Sequence, residues 1–373
     1  MVNMNTMLEY IVLKNFKCFD ELQIRLAPLT LVTGMNGVGK STLIQSLLII
    51  RQSFVARYLQ DGYISLNGEL VNLINGGALL YNQANDECVE VRIEDEEDEY
   101  IFTLPKVEND NHLQLMEISP EGYTKKGLLL LEDDFVYLNA ERLSPQIYYK
   151  PTNSSEKNYS RMGNRHGDKA VGVLFDAIDK VDDLNIVALK AETAASNRVG
   201  DNVSAWLGYI MGTKITAKVE KVNSEDLRLT YTVGDVAKEN VFSPLNTAFG
   251  NSYLLPIIVA VLTAKKGGLI LLENPEAHLH PAAQFRLGKL LAMAAEQGIQ
   301  LIVETHSDHL LNGIRVAAKN GQISSDNVAI QYFVEHDGCH DAQRIVLNND
   351  GELDCWPQGF FDEWEKALDS LIG

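Results

Sequence analysis

Apolar and polar positions alternate over residues 8–33 in three short runs. Leu8-Glu9-Tyr10-Ile11-Val12-Leu13 and Leu22-Gln23-Ile24-Arg25-Leu26 read as paired strands on either side of Asn15-Phe16-Lys17, and Leu29-Thr30-Leu31-Val32-Thr33 as a third. The pattern then turns helical over residues 41–60. Residues 61–137 are mixed, with strands expected near Glu90–Ile93, Tyr100–Leu104 and Leu129–Leu131. Residues 150–168 are rich in Asn, Ser, Lys, Arg and Gly and read as a mobile loop and a boundary. Helical spacing returns over 169–216, carried by Val171, Leu174, Phe175 and Ile178, then Val203, Trp206, Leu207 and Ile210. A strand pair is expected near Lys214–Val222 and Leu227–Val233. From 252 the pattern reads helix (Ser252–Lys265), strand (Leu269–Leu272), helix (Pro281–Gln297), strand (Ile299–Glu304) and helix (Asp308–Asn320). That alternation predicts an α/β core. Strand Ala329–Val334 then leads into an aromatic tail. There is no internal repeat and no sustained heptad pattern, which excludes long coiled-coil arms.

Composition narrows the classes. At 373 residues and 46% hydrophobic content the chain can bury a sizeable core, as two domains or as one large domain with an insertion. The longest apolar candidate for a membrane span, Leu254 to Ala264, is too short and holds Pro256. The first residues carry acidic Glu9 and no small-residue cleavage site, so they do not read as a signal peptide. Cys18, Cys88, Cys339 and Cys355 are scattered without metal or disulfide spacing, which fits free thiols in a reducing cytoplasm. Asp and Glu total 51 against 32 Lys and Arg, a net charge of −19. A field of that sign opposes non-specific binding to nucleic-acid phosphates, so a protein partner is favoured over DNA. Local basic patches remain candidates at Lys125-Lys126, Arg161 to Lys169 and Lys265-Lys266. The acidic run Glu94 to Glu99 reads as a solvated loop, and the Asn-x-Ser matches at Asn153 and Asn158 as chance.

The chemistry-bearing motif lies between the third strand and the first helix. Gly34-Met35-Asn36-Gly37-Val38-Gly39-Lys40-Ser41 fits G-x-x-x-x-G-K-[ST]. Glycines let successive N–H groups turn toward one phosphate chain, Lys40 can reach the β- and γ-phosphates, and Ser41 can hold Mg²⁺. With Thr42 next in line, the phosphates would sit on a helix N-terminus, so a nucleoside triphosphate with Mg²⁺ is the expected ligand. A chance glycine turn is the alternative. Three later segments extend the pattern. The apolar strand Leu269-Ile270-Leu271-Leu272 ends in Glu273, where a carboxylate can stand beside Mg²⁺ or its water; an incidental acidic strand end is the alternative. Leu301-Ile302-Val303-Glu304-Thr305 leads to His306, an imidazole able to sense a γ-phosphate, or else a helix-start residue capped by Ser307 and Asp308. Asn246 to Tyr253 holds Gly250-Asn251-Ser252 before a helix, where Ser252 and backbone N–H groups could face an anion; an ordinary loop and N-cap is the alternative.

This order of segments resembles the ABC-type head of the SMC, RecF and overcoming-lysogenization-defect ATPases. It is most similar to stand-alone prokaryotic ATPases that share Leu66-Asn67-Gly68-Glu69-Leu70-Val71, the Asn139-Ala140-Glu141-Arg142 to Pro145 segment and the tail Trp356 to Trp364. The resemblance implies a two-lobed α/β P-loop ATPase head with a mixed sheet and a helical insertion. The expected division is 1–165, an insertion over 166–240, and 241–373. It further implies ATP hydrolysis with Mg²⁺ held by Ser41 and Glu273, closure of two copies with Ser252 of one facing Lys40 of the other, and a separate nuclease or toxin as effector, in antiphage defence. A RecF-like DNA clamp and a nucleotide-dependent scaffold are the alternatives. Lys17, after the first strand, and Arg142 are implied phosphate contacts or else surface ion pairs. The tail reads as a segment packed on the surface. One departure stands out: the second Walker B acid is replaced by Asn274, and an amide cannot act as a base. Glu276 is then expected to position the water, or turnover is slow. His278 and His280 form an H-x-H pair that invites a metal reading, but the family's turn at this place favours a dimer contact.

Overall fold

The computed structural model describes residues 6–84, 88–106, 110–120, 128–152, 159–234, 240–361 and 363–372. The first two apolar runs form β1 (Leu8–Phe16) and β2 (Phe19–Arg25), paired antiparallel across a tight turn at Lys17. β5 (Cys88–Asp95), β6 (Glu99–Pro105) and β8 (Glu117–Ser119) extend them into a five-stranded sheet ordered β2-β1-β5-β6-β8. β4 (Tyr63–Ser65) and β7 (His112–Gln114) pair beside it. A second sheet has six strands: β3 (Leu29–Gly34), β9 (Phe135–Leu138), β13 (Leu269–Glu273), β14 (Gln300–Glu304), β15 (Val328–His336) and β16 (Cys339–Ile345), ordered β16-β15-β3-β14-β13-β9. All its pairings are parallel except β15 with β16. A third, three-stranded sheet joins β10 (Ile215–Lys221), β11 (Leu227–Val233) and β12 (Val241–Phe242).

The helices are α1 (Lys40–Val55), α2 (Ala170–Asp179), α3 (Val199–Met211), α4 (Phe249–Leu262), α5 (Pro281–Glu296), α6 (Asp308–Lys319) and α7 (Glu363–Ile372). The six-stranded sheet divides the core in two. Along β13, Leu269 and Leu271 point to α1 and the five-stranded sheet, while Ile270 and Leu272 point to α4 and α5. A sheet covered on both faces needs apolar residues at every position, so β13 and β14 read as continuous apolar runs. Each such side chain contributes roughly 1.5–3 kcal/mol on burial. α2, α3 and β10–β11 share the same apolar cluster as α4, through Leu174, Val203, Leu207 and Tyr231.

Three expectations change here. Leu129–Leu131 is a single buried 3₁₀ turn, not a strand. A three-residue apolar run has no period that separates the two, and the strand comes later, at Phe135–Leu138. The supposed loose boundary is packed over 159–168: Met162 is fully buried, and Arg161 pairs with Asp134 at 2.6 Å and donates to the Ala260 carbonyl at 2.7 Å. Residues 153–158, with Asn153 and Asn158, lie outside the described residues. Arg161 is engaged with Asp134 and Lys169 is 4% exposed, so neither offers a free basic surface; Lys265 and Lys266 are exposed, and Lys125-Lys126 lie outside the described residues. In the tail, Phe360 is buried against Tyr332, whose hydroxyl donates to the Gln358 carbonyl at 3.1 Å, and Arg315 covers Trp356. The side chain of Trp364 lies outside the described residues. No helix among the described residues is long and apolar enough to cross a membrane.

Candidate functional site

β3 ends at Gly34 and α1 begins at Lys40, so the glycine motif is the connection between them. Gly34, Gly37 and Gly39 have φ of +140°, +84° and +104°, backbone that side chains resist. Gly39 also has no room: a Cβ there would run into the Phe19 ring and the Cys18 sulfur. Met35, Asn36 and Gly37 form an exposed tip. Lys40 is 4% exposed, and its Nζ donates to the Gly34 and Met35 carbonyls at 3.0 and 2.6 Å. Burial holds its pKa below the usual lysine value, and Glu304 opposes that shift.

The Ser41 hydroxyl donates to Glu304, at 3.1 Å to Oε2 and 3.3 Å to Oε1, and so stands beside the acid of β14. The reason is strand order. β14 lies between β3 and β13, so the acid at the end of β14 meets the loop directly. Glu273 stands one strand further away and accepts the Tyr137 hydroxyl at 2.9 Å. Burial raises the Glu273 carboxyl, and the Tyr137 hydrogen bond partly offsets the rise. Glu304 is 6% exposed, and burial with Glu273 as its acidic neighbour pushes it up to about 7, against the pull of Lys40 and Ser41.

Glu276 accepts the backbone N–H of His306 at 2.7 Å, which ties the turn after β13 to the turn after β14. Burial raises its carboxyl above the usual value. His306 is exposed, and desolvation together with the nearby Lys40 charge lowers its pKa. Asn274 has φ +43°, and its N–H donates to the Glu304 carbonyl at 2.8 Å. Asn is among the residues that tolerate this backbone. Lys17, with φ +56°, donates from Nζ to Gln45 at 2.6 Å, and Cys18 lies against Thr42. A cleft of about 370 Å³ opens beside them, lined by Lys17, Cys18, Tyr81, Asn82, Gln83 and His340 among others.

Ser252 does not join the site. It is 6% exposed on α4 and borders a small internal cavity with Tyr149, Leu229 and Pro256. A side chain so enclosed does not face a nucleotide on another molecule. Arg142 is neither a phosphate contact nor a surface ion pair: it is 2% exposed and donates to the carbonyls of Asn139, Glu273 and Asn274. His280 caps α5, its Nδ1 accepting the Ala282 N–H at 3.3 Å, and His278 packs on Phe249 and Tyr253. Among the described residues no group of three or more His, Cys, Asp and Glu side chains is arranged to hold a metal. Mg²⁺ in a phosphate-loop site asks for less, one or two carboxylates with the rest supplied by phosphates and water. The all-oxygen pair of Ser41 and Glu304 fits that demand. Sequence reasoning missed Glu304, Tyr137 and the buried role of Arg142. For Glu304 a signal was present, because Val303-Glu304 repeats the apolar-run-then-acid pattern of Leu272-Glu273.

The fold is that of an ABC-type ATPase head of the SMC kind: a phosphate-loop strand in a mixed sheet, an antiparallel sheet over α1, and helices on the opposite face. Two AAA-domain families each match part of the sequence. An AAA domain family matches residues 10–185, and a family whose description joins an AAA domain to the AbiEii toxin of a Type IV TA system matches residues 166–312. A family described as a protein of unknown function (DUF3696) matches residues 323–371. An OLD nuclease from Thermus scotoductus (strain ATCC 700910 / SA-01) is 22% identical over 381 residues. The match covers 89% of this chain, and the chain spans 65% of that relative's length. The Smc head domain with a coiled coil and joint from Pyrococcus yayanosii matches with a TM-score of 0.55 at 11% identity, over 97% of this chain and 99% of that one. The Smc head domain from Pyrococcus furiosus, bound to the C-terminal domain of ScpA, matches with a TM-score of 0.53 at 14% identity, over 98% and 99%.

Proposed function

We propose that this chain binds ATP with Mg²⁺ at the Gly34–Ser41 loop, hydrolyses it, and uses nucleotide-dependent association of two copies to gate a separate protein effector. The observation that carries the reading is the convergence of Lys40, Ser41, Glu304 and the His306 segment around the glycine loop. They come from the ends of β3 and β14, two adjacent parallel strands. Ligands bind beyond the carboxyl ends of the strands in open α/β sheets, and α1 turns its free N–H groups to the same place.

Each residue has a distinct task. The loop N–H groups and Lys40 hold the β- and γ-phosphates. Ser41 and Glu304 would hold Mg²⁺, with Glu273 behind them. When bound, the ion neutralises charge that builds on the phosphate oxygens. Glu276 positions the attacking water and accepts its proton; burial raises its carboxyl above the usual value, which makes the carboxylate a stronger base. His306 donates a hydrogen bond at the γ-phosphate. The cleft beside Lys17 and Cys18 receives the nucleoside.

Two copies closing on the nucleotide, an effector partner and a role in antiphage defence rest on likeness alone. Support comes from a toxin–antitoxin family description, an OLD nuclease relative and Smc heads bound to ScpA. A net charge of −19 supports a protein partner over a DNA clamp. A second reading, a scaffold held together by ATP with little turnover, is supported by Asn274 in the position of the usual catalytic acid. Phosphate release, measured together with the sedimentation of the protein in ATP and in ADP, separates the two. Turnover that disappears in Lys40→Ala supports the ATPase. Assembly in ATP without phosphate release supports the scaffold, and no response to ATP removes both.

A further inference from the structure

We propose that Arg142 is the positioning residue of the hydrolytic step, holding the turn that carries Asn274 and Glu276. The inference rests on the ATPase reading above. One guanidinium bridges two backbone segments through three carbonyls. Nη1 donates to the Asn139 carbonyl at 3.0 Å and to the Glu273 carbonyl at 2.9 Å, and Nη2 donates to the Asn274 carbonyl at 2.7 Å. The exit of β9 is thereby fixed to the exit of β13. Asn274 continues the link, since its own N–H is bonded to the Glu304 carbonyl. The left-handed backbone at Asn274 is clamped on both sides, and Glu276 comes two residues later.

Arg142 also meets the first turns of α4. Its guanidinium lies 5.4 Å from the centre of the Tyr253 ring. Tyr253 in turn packs on Phe249 at 4.8 Å and on His278 at 4.5 Å between ring centroids. Phe249 is 42% exposed. A contact on Phe249 is therefore two side chains, Tyr253 and Arg142, away from the turn that carries Asn274 and Glu276. Keeping a charge this deeply buried is costly unless its donors are matched. Burial pushes Arg142 down to about 10, while Glu276, then Tyr253 and Glu273, support its charged form. Lysine could keep the charge but has no planar fork, so it cannot serve Asn139, Glu273 and Asn274 together.

The test is Arg142→Lys in the full chain, with Mg-ATP affinity and phosphate release measured separately. The loop is untouched, so the Kd for Mg-ATP should stay within about threefold of the wild-type value while kcat falls about tenfold or more. Adding Glu276→Gln to Arg142→Lys should cost little further, because both changes disable the same turn. Tyr253→Leu, which leaves the hydrogen-bonding fork intact, should give a smaller fall in kcat with the same split. Wild-type kcat in Arg142→Lys overturns the proposal. So does a parallel loss of kcat, affinity and melting temperature in both variants, which marks a purely structural arginine. Failure of the ATPase reading looks different: the wild-type protein itself releases no phosphate, and this inference falls with it.

Discussion

Helix α1 starts at Lys40 behind glycines at 34, 37 and 39, all with positive φ, and its approach loop stands open at Met35 to Gly37. Helix α4 starts at Phe249 behind Ala248, with Phe249 exposed in front and Ser252 enclosed below. Both segments read in the sequence as helix starts able to meet phosphate, and only α1 is built for it. The difference lies in the body of each helix. α1 keeps Ser41 on an exposed side, whereas every residue of α4 from Gly250 to Leu262 is buried. A helix apolar on all sides is a core helix, and a serine in its first turn is drawn into the core with it. The run Leu254 to Leu262 already said this about α4.

The largest way to break the comparison is at α1. Lys40→Ala should weaken Mg-ATP binding about 100-fold or more, roughly 2.7 kcal/mol. Gly39→Val should do the same, because its side chain would meet Phe19 and Cys18 on a backbone at φ +104°. Isothermal titration checks both, and near-wild-type affinity in either would mean the loop is not the phosphate site. Next comes the base. Glu276→Gln should reduce phosphate release about tenfold or more with nucleotide affinity intact. A rate equal to wild type would reassign the base.

A smaller effect is expected at Glu304. Its folded pKa of about 7 lies above the ordinary carboxylate value of 4.5. The contribution of this group to stability is therefore fully present below about pH 4.5 and is lost as the pH rises through about 7. Glu304→Gln removes the buried charge, so the free protein should melt a few degrees higher than wild type at pH 8. The gain should shrink to nothing by about pH 4.5. A lower melting temperature at pH 8 would show that the charged form is well satisfied. The smallest effect belongs to α4: Ser252→Ala should leave Mg-ATP affinity and turnover within about twofold of wild type. A larger loss would restore a nucleotide role for that serine.

What could be read from the chain tracks how local each feature is. The glycine loop, the runs of β13 and β14, and the helix starts at Pro281 and Asp308 depend on neighbours, and the structure places those elements within a residue or two of the expected bounds. Ser307 caps α6 by accepting the Leu310 N–H at 2.9 Å, a signal visible as Ser-Asp before an amphipathic run. Glu304 was harder. Its contact with Ser41 arises because β14 inserts between β3 and β13, and sequence order does not give strand order. Tyr137 and Arg142 act on Glu273 and Asn274 across 131 to 136 residues, where no spacing rule reaches.

The most direct test is an equilibrium titration of ATP with Mg²⁺ and again with EDTA, on wild type, Glu304→Ala and Lys40→Ala. If the ends of β3 and β14 form one cation–triphosphate site, Mg²⁺ tightens ATP binding to wild type by about tenfold or more. Glu304→Ala then loses that gain while keeping metal-free binding, and Lys40→Ala loses both. Retention of the full Mg²⁺ gain in Glu304→Ala, or no ATP binding by wild type, would contradict that site.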